Sequence, residues 1–324
     1  MKIINPSVEL IQQEPGLDGM LRHIEKCGRT CYKSEDKITE DSVKKFVDEL
    51  IKNKHYAMLE HGTVYLKLDT KREISYNYLE RFYAKYYHNP YSMIKNRKGF
   101  TWVTTNYRVL EENCWLDDLQ YICEPTEFHI PRITLKFTTN IGVTREGNRH
   151  RVNSIAEEST RYCNYTKDKF GNNVSFCKPV WIDEISNNFE EKLIDFADAI
   201  TNRYALLFTD DCTDIDIYQL ALGFAEYFYT ILLKKGWTAQ QAREVLPLAT
   251  KSEVVYTAFP HQWKHFFDLR LFGTTGKPHP NMQEVAKLAQ EVLKENNLWE
   301  LIYPDYLNIR FPYDDDDNGP IKFE

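Results

Sequence analysis

Arg149-His150-Arg151, followed after seven residues by Ser159 and then by Arg161-Tyr162, gather fixed positive charge, one titratable ring and a hydroxyl in one short run. Around them the segment reads TREGNRHRVNSIAEESTRYCNYT, in which four arginines alternate with Glu146, Glu157 and Glu158. Arginine binds phosphate and carboxylate through a planar, bidentate fork, so the chemistry on offer is recognition of an anion. The plain alternative is a solvated helix face laced with Arg/Glu pairs. Geometry argues against it: if the run is helical, Arg145 and Arg149 share a face while Arg149 and Arg151 point about 160° apart. The two RHR arginines would then serve different neighbours.

These residues need elements to hold them. KIINP reads as a short strand, and GLDGMLRHIEKCGRTCY carries apolar residues at helical spacing. Thr39 to Asn53 reads as a second helix with Thr39 or Asp41 as its cap. His55, Glu60 and His61 precede an alternating strand, Thr63 to Leu68. Two histidines and a glutamate invite a metal reading, but the i, i+4 histidine pair of a zinc helix is missing, so no metal is expected. The stretch 69–131 is dense in Tyr, Lys, Asn and Trp, with helix-like EISYNYLERFYAKYY, strand-like FTWVTTNYRVL and turn-rich CEPTEFHIPR, and reads as an insertion. A strand over Ile133 to Phe137 leads into the Arg cluster, and Asn187 to Lys235 reads as two long helices. GWTAQQAREVLPLAT suggests a helix starting at Thr238, carrying Arg243 and stopping near Pro247. Phe266, Phe267 and Leu269 should be core, with Arg270 interrupting them, and Asn281 to Asn296 reads as a further helix. Residues 314–324 form an acidic, solvated tail. No repeat or linker divides the chain, so one α+β domain over 1–324 is expected, a mixed fold with an antiparallel sheet flanked by helices.

The chain of 324 residues, 42% hydrophobic and 14% aromatic, is long enough to bury a large core. Its net charge of −7 gives no polycationic surface, so any anion site is local and a general nucleic-acid binder is disfavoured. MKIINPSVELIQQ lacks the basic start and apolar run of a signal peptide, and no stretch approaches membrane-spanning length; a cytoplasmic protein is expected. Seven cysteines, without a C-x-x-C pair or zinc spacing, read as reduced and mostly buried thiols. Cys163 is the one near enough to the charged cluster to be a nucleophile, and no base stands beside it in sequence.

RHRVNSIAEES and the following TRY resemble the signature of the flavin-dependent thymidylate synthase family. HYAMLEH resembles that family's upstream His-x4-Glu-His segment, QAREVLPL its Arg-x2-Leu-Pro block and HFFDLR its late His-Phe-x2-Leu-Arg block. The ordered blocks cover the chain from about Arg29 to Gln283. The resemblance implies methyl transfer to the uracil of dUMP from methylenetetrahydrofolate, with FAD carrying electrons from NADPH, in a homotetramer whose active sites lie between subunits. Carried over residue by residue, it implies that His55 lies on the flavin and folate side and Glu60 contacts FAD. Arg149, His150 and Arg151 match the flavin-binding RHR, with Arg149 also near the nucleotide, and His265 lies near the flavin. Glu146, Glu157, Ser159, Arg161, Arg243 and Arg270 match dUMP-binding positions. Ala156, Phe259 and His261 depart from the family's usual Asn, Asn and Arg, which leaves the contacts to the adenosine end of FAD open. Asn106 and Arg108 receive no role.

Under this resemblance Arg161 and Arg270 would stabilise charge building on the pyrimidine, and His55 would position flavin or folate; these three are the expected catalytic residues. Ser159 has no base paired with it and reads as a positioning hydroxyl. A buried Arg270 requires a ligand or a carboxylate partner. The rival class is a nucleotide- or RNA-binding protein that uses the Arg cluster for phosphates and Tyr/Trp for stacking.

Overall fold

The computed structural model describes residues 1–70, 76–167, 171–182 and 213–304. The architecture is α+β, with β1 (Lys2–Ile4), β2 (Ser7–Leu10), α1 (Gly16–Tyr32), α2 (Ser42–Lys52), β3 (Thr63–Asp69), α3 (Tyr76–Tyr87), β4 (Met93–Arg97), β5 (Phe100–Asn106) and α4 (Tyr107–Glu112). Then follow β6 (Ile133–Asn140), α5 (Ile141–Gly147), β7 (Ser154–Glu157), β8 (Ser175–Cys177), α6 (Asp214–Lys234), α7 (Ala239–Ala242), β9 (Lys251–Ala258), α8 (Pro260–Arg270), α9 (Pro280–Glu295) and α10 (Trp299–Ile302).

An antiparallel sheet, ordered β2-β6-β9-β7, positions the charged cluster. Alternation on β6 sends Ile133, Leu135 and Phe137 to one face, where they pack with Trp263, Phe266 and Phe267 of α8 and Val285 and Ala289 of α9. The opposite face carries Val255 and Ala156, which meet Cys27 of α1. The same face holds a buried polar row: His23 to Thr134 (3.1 Å), Thr134 to Thr257 (2.8 Å) and Thr257 to His61 (2.8 Å). Burial depresses His23 to about 4 and holds His61 well below its ordinary value, so both rings are neutral.

A second antiparallel sheet, β3-β5-β4, packs Leu66 and Val103 against Ile24 of α1, Val47 and Leu50 of α2, and Phe82 and Tyr86 of α3. The stretch read as an insertion therefore supplies two of the three strands and shares a core with α1. Helix α1 keeps the expected span and ends where Lys33 adopts φ 46°, the left-handed cap conformation. Lys33 then pairs with Glu253 of β9.

Several local expectations change. YRVL is helical because the Asn106 side chain accepts the Val109 N–H at 3.1 Å and starts a turn. Neither Thr39 nor Asp41 caps α2 through its side chain, since Ser42 Oγ instead bonds the Thr39 N–H and carbonyl. Leu269 is half-exposed while Phe266 and Phe267 are buried, because α8 turns Leu269 toward a surface recess. Of the six described cysteines, three are buried and none forms a disulfide. The first of the two helices expected over 187–235, and the acidic tail, lie outside the described residues; the second is α6.

Candidate functional site

The RHR run is not a continuous helix. Asn140 caps α5 by accepting the Val143 N–H (2.9 Å), and the helix ends at Gly147. Gly147 lies against the Tyr256 hydroxyl, where a Cβ would collide, so the chain can turn there only without a side chain. The turn is closed by His150 N–H to the Gly147 carbonyl (3.0 Å) and Asn153 N–H to the His150 carbonyl (3.1 Å). Arg149 and Arg151 stay exposed and His150 is buried. The two arginines are thus separated by a turn, and among the described residues neither side chain makes a hydrogen bond or ion pair.

His150 is the centre of the first cluster. Arg270, at the end of α8, donates Nε to His150 Nε2 at 3.2 Å, Nη1 to Glu146 Oε2 at 3.0 Å and Nη2 to the Glu146 carbonyl at 3.1 Å. The carboxylate partner that a half-buried Arg270 requires is therefore Glu146. Phe266 and His265 stand edge-on to the His150 ring at 5.1 and 5.5 Å. Burial first, then the charge of Arg270, lowers His150 to about 4. A neutral ring with Nε2 as acceptor places its proton on Nδ1. Glu146, Leu269 and Arg270 open onto a recess also lined by Thr275, Lys277 and His279.

The second cluster lies past the far end of β7, roughly 10 Å along the strand. Glu157 accepts from Asn148 Nδ2 (2.9 Å) and Ser252 Oγ (3.1 Å), so Asn148 ties it back to the RHR turn. Ser159 donates its N–H to the Cys31 carbonyl at 2.9 Å, and its Oγ accepts the Arg161 N–H at 3.3 Å. No imidazole or amine activates that hydroxyl among the described residues. Glu158 is buried and bound to Lys251 at 2.7 Å, which fixes the start of the turn. Arg243 donates to Thr160 Oγ1 at 3.0 Å. Arg161 is exposed, over the ring of its neighbour Tyr162.

His55 joins this second cluster through Tyr32, whose hydroxyl meets His55 Nδ1 at 3.2 Å and whose ring lies 5.6 Å from Tyr162. Glu60, in the short 3-10 helix Tyr56–His61 that His55 precedes, pairs with Arg108 at 2.5 Å, while its carbonyl accepts from Arg132 at 2.7 Å. Arg270, Glu146, His150 and His265 therefore meet. Arg243, Ser159, Arg161 and His55 gather separately, and the hydrogen bond from Asn148 to Glu157 links the two ends. Arg108, Arg132, Tyr32, Thr160 and Lys251 are contacts that sequence reasoning missed. Arg108 carried one faint signal, its i, i+4 spacing to Glu112, with which it also pairs at 2.8 Å. Among the described residues no group of His, Cys, Asp and Glu could hold a metal ion. No described helix is long and apolar enough to cross a membrane.

The model of the family described as thymidylate synthase complementing protein matches residues 104–299, more than half of the chain. No curated protein sequence matches. Among solved structures, the chain is similar to a UMP/dUMP methylase, PolB, from Streptomyces cacaoi bound with 5-Br UMP, at 17% identity and a TM-score of 0.42, over 93% of this chain and 95% of that one. It is also similar to thymidylate synthase X from Helicobacter pylori with FAD and dUMP, at 16% identity and a TM-score of 0.37, over 92% and 99% of the two chains.

Proposed function

The chain belongs to the thymidylate synthase complementing protein family, and on that premise we propose that it converts dUMP to dTMP, with methylenetetrahydrofolate as carbon donor and FAD and NADPH as the reducing pair. The observation that carries this reading is the meeting of Arg270 with Glu146 and His150, which joins the late HFFDLR block to the RHR block through three hydrogen bonds. A homotetramer with shared active sites, a cytoplasmic location and one domain over 1–324 belong to the same reading.

The donor set suits a phosphate-bearing flavin. Arg149 and Arg151 carry exposed guanidinium groups uncommitted among the described residues, and His150 is a buried neutral ring between them in sequence. Arg149, His150, Arg151, Glu60 and His265 would hold FAD, which supplies a hydride when bound. Arg270 and Arg161 would stabilise negative charge on the pyrimidine as its C5 attacks the donor's methylene carbon. Arg270 is prepared for this by Glu146, which holds the guanidinium in place. Glu157, Ser159 and Arg243 would complete the nucleotide cradle with Glu146 and Arg149, and His55, steadied by Tyr32, would position flavin or folate. Ser159 serves through loop geometry, since its hydroxyl accepts a backbone N–H and no base adjoins it. Tritium release from dUMP labelled at C5, dependent on methylenetetrahydrofolate and NADPH, is the test; a protein that binds FAD and releases no tritium would sink the assignment.

A further inference from the structure

Glu253 lies on β9 two residues before Val255, on the sheet face that α1 covers. Its carboxylate collects three ammonium groups: Lys33 at the cap of α1, Lys136 of β6 at 2.8 Å and Lys251 of β9 at 2.7 Å. Lys251 reaches on to the wholly buried Glu158 carboxylate, also at 2.7 Å, and the Glu253 carbonyl accepts the Glu158 N–H at 2.7 Å. Burial alone would raise the Glu253 carboxyl. The charges of Lys251 and Lys33 reverse that and hold it well below the usual carboxylate range, so it stays ionised.

A network of buried charges is a poor source of stability, because desolvation cancels most of the attraction and apolar side chains would hold the sheet as well. What distinguishes this one is its reach. Through Lys33 it grips the end of α1, where the Tyr32 hydroxyl meets His55 and the Cys31 carbonyl accepts the Ser159 N–H. Through Lys251 and Glu158 it grips the start of the turn that carries Ser159 and Arg161, and the Tyr165 hydroxyl donates to Glu158 at 3.2 Å from beyond that turn. The two segments also touch directly, with the rings of Tyr32 and Tyr162 5.6 Å apart. One carboxylate thus stands beneath both halves of the second cluster, and its removal would leave Lys33, Lys136 and Lys251 repelling one another.

We propose that Glu253 is a positioning residue for the nucleotide site: by holding Lys33 and Lys251 together it sets Tyr32, and with it His55, against the turn of Ser159 and Arg161. This rests on the reading above, in which that turn cradles dUMP. Full-length, FAD-loaded protein is compared with Glu253→Gln, Lys33→Gln and the double variant by equilibrium dialysis against labelled dUMP, by flavin absorbance, and by the rate of tryptic cleavage after Arg161, read by mass spectrometry. Glu253→Gln should weaken dUMP about tenfold with flavin content unchanged. Lys33→Gln, a change on the other segment, should weaken dUMP as well, and the double variant should bind no worse than Glu253→Gln alone, since both changes act through one contact. Cleavage after Arg161 should quicken in every variant. Lys33→Gln decides the matter alone if Glu253→Gln does not fold. Unchanged dUMP affinity in folded Lys33→Gln overturns the proposal, as do losses that multiply in the double variant or loss of flavin together with dUMP. A wild-type protein that binds no dUMP would instead remove the proposed reaction, and the cleavage rates would then decide by themselves whether Glu253 sets the turn.

Discussion

The two ends of β7 carry equally charged residues in opposite states of readiness. At the RHR end, Arg270 spends three donors on Glu146 and His150, and Phe266 walls the ring. At the serine end, Arg161 is exposed and Arg243 holds one side-chain hydrogen bond, to Thr160. The difference follows from what lies underneath. Arg270 ends a helix whose Phe266 and Phe267 belong to a large core, so its position is inherited from packing. Arg161 sits on a turn tethered by backbone contacts and by Glu158, with its side chain exposed over the Tyr162 ring although Cys163 and Tyr165 beyond it are buried. The first end is held in place by the chain's own packing; the second leaves Arg161 on the surface.

Breaking the packed end should cost most. Phe266→Ala is expected to lower stability by about 3–5 kcal/mol, measured by urea unfolding, because a wholly buried ring leaves a cavity and His150 loses its neighbour. Arg270→Ala strips Glu146 and His150 of their shared donor, so tritium release should fall by about a hundredfold or more while FAD, read by its absorbance, is retained. If that variant is purified without flavin, the division between nucleotide and flavin contacts is wrong. Arg161→Ala should also abolish most dUMP turnover and keep FAD, yet change stability by no more than about 0.5 kcal/mol, as an exposed side chain does. Equal destabilisation by Arg161→Ala and Arg270→Ala would erase the contrast.

Acid should act on the packed end and on the row beneath the sheet. Folded His150 and His23 titrate near 4, and burial holds His61 well below the ordinary value near 6.5. Above about 6.5 these rings are neutral in both states and contribute no pH dependence. Between about 6.5 and 4 the unfolded chain takes up protons that the folded one does not, so stability falls as pH falls. Each ring adds at most about 1.4 kcal/mol per pH unit to that slope, and His150→Gln should flatten it when unfolding is followed across the range. The smallest effect is expected at Thr160→Val, where losing a single hydrogen bond from Arg243 should raise the KM for dUMP by only about two- to tenfold with kcat near wild type.

The RHR block, its distance to Ser159, helix α1 and strand β3 were legible before any fold, because spacing and hydrophobic period are properties of neighbours along the chain. The strand expected over Ile133 to Phe137 likewise lies within β6, although the burial of both its faces had no local signal. YRVL misled because its Tyr and Val favour a strand, and one capping contact from Asn106 overrode that preference. Leu269 misled because it lies three residues from Phe266, near the same helix face, yet the recess beside Arg270 leaves it half-open. Arg132 carried no signal at all, since a lone arginine before a strand is ordinarily solvated.

By itself the sequence determined which groups exist: the arginines, the acids that answer them, and the apolar periods that build the sheets and their helices. Only the tertiary structure decided which of them meet. Arg270 reaches His150 across more than a hundred residues because α8 and the RHR turn pack on one core, while Arg243, Ser159 and His55 are collected at the other end of a four-residue strand. Charge and period are written locally, but partnership between distant side chains depends on the register of β6, β7 and β9, which the packing of both faces fixes at once.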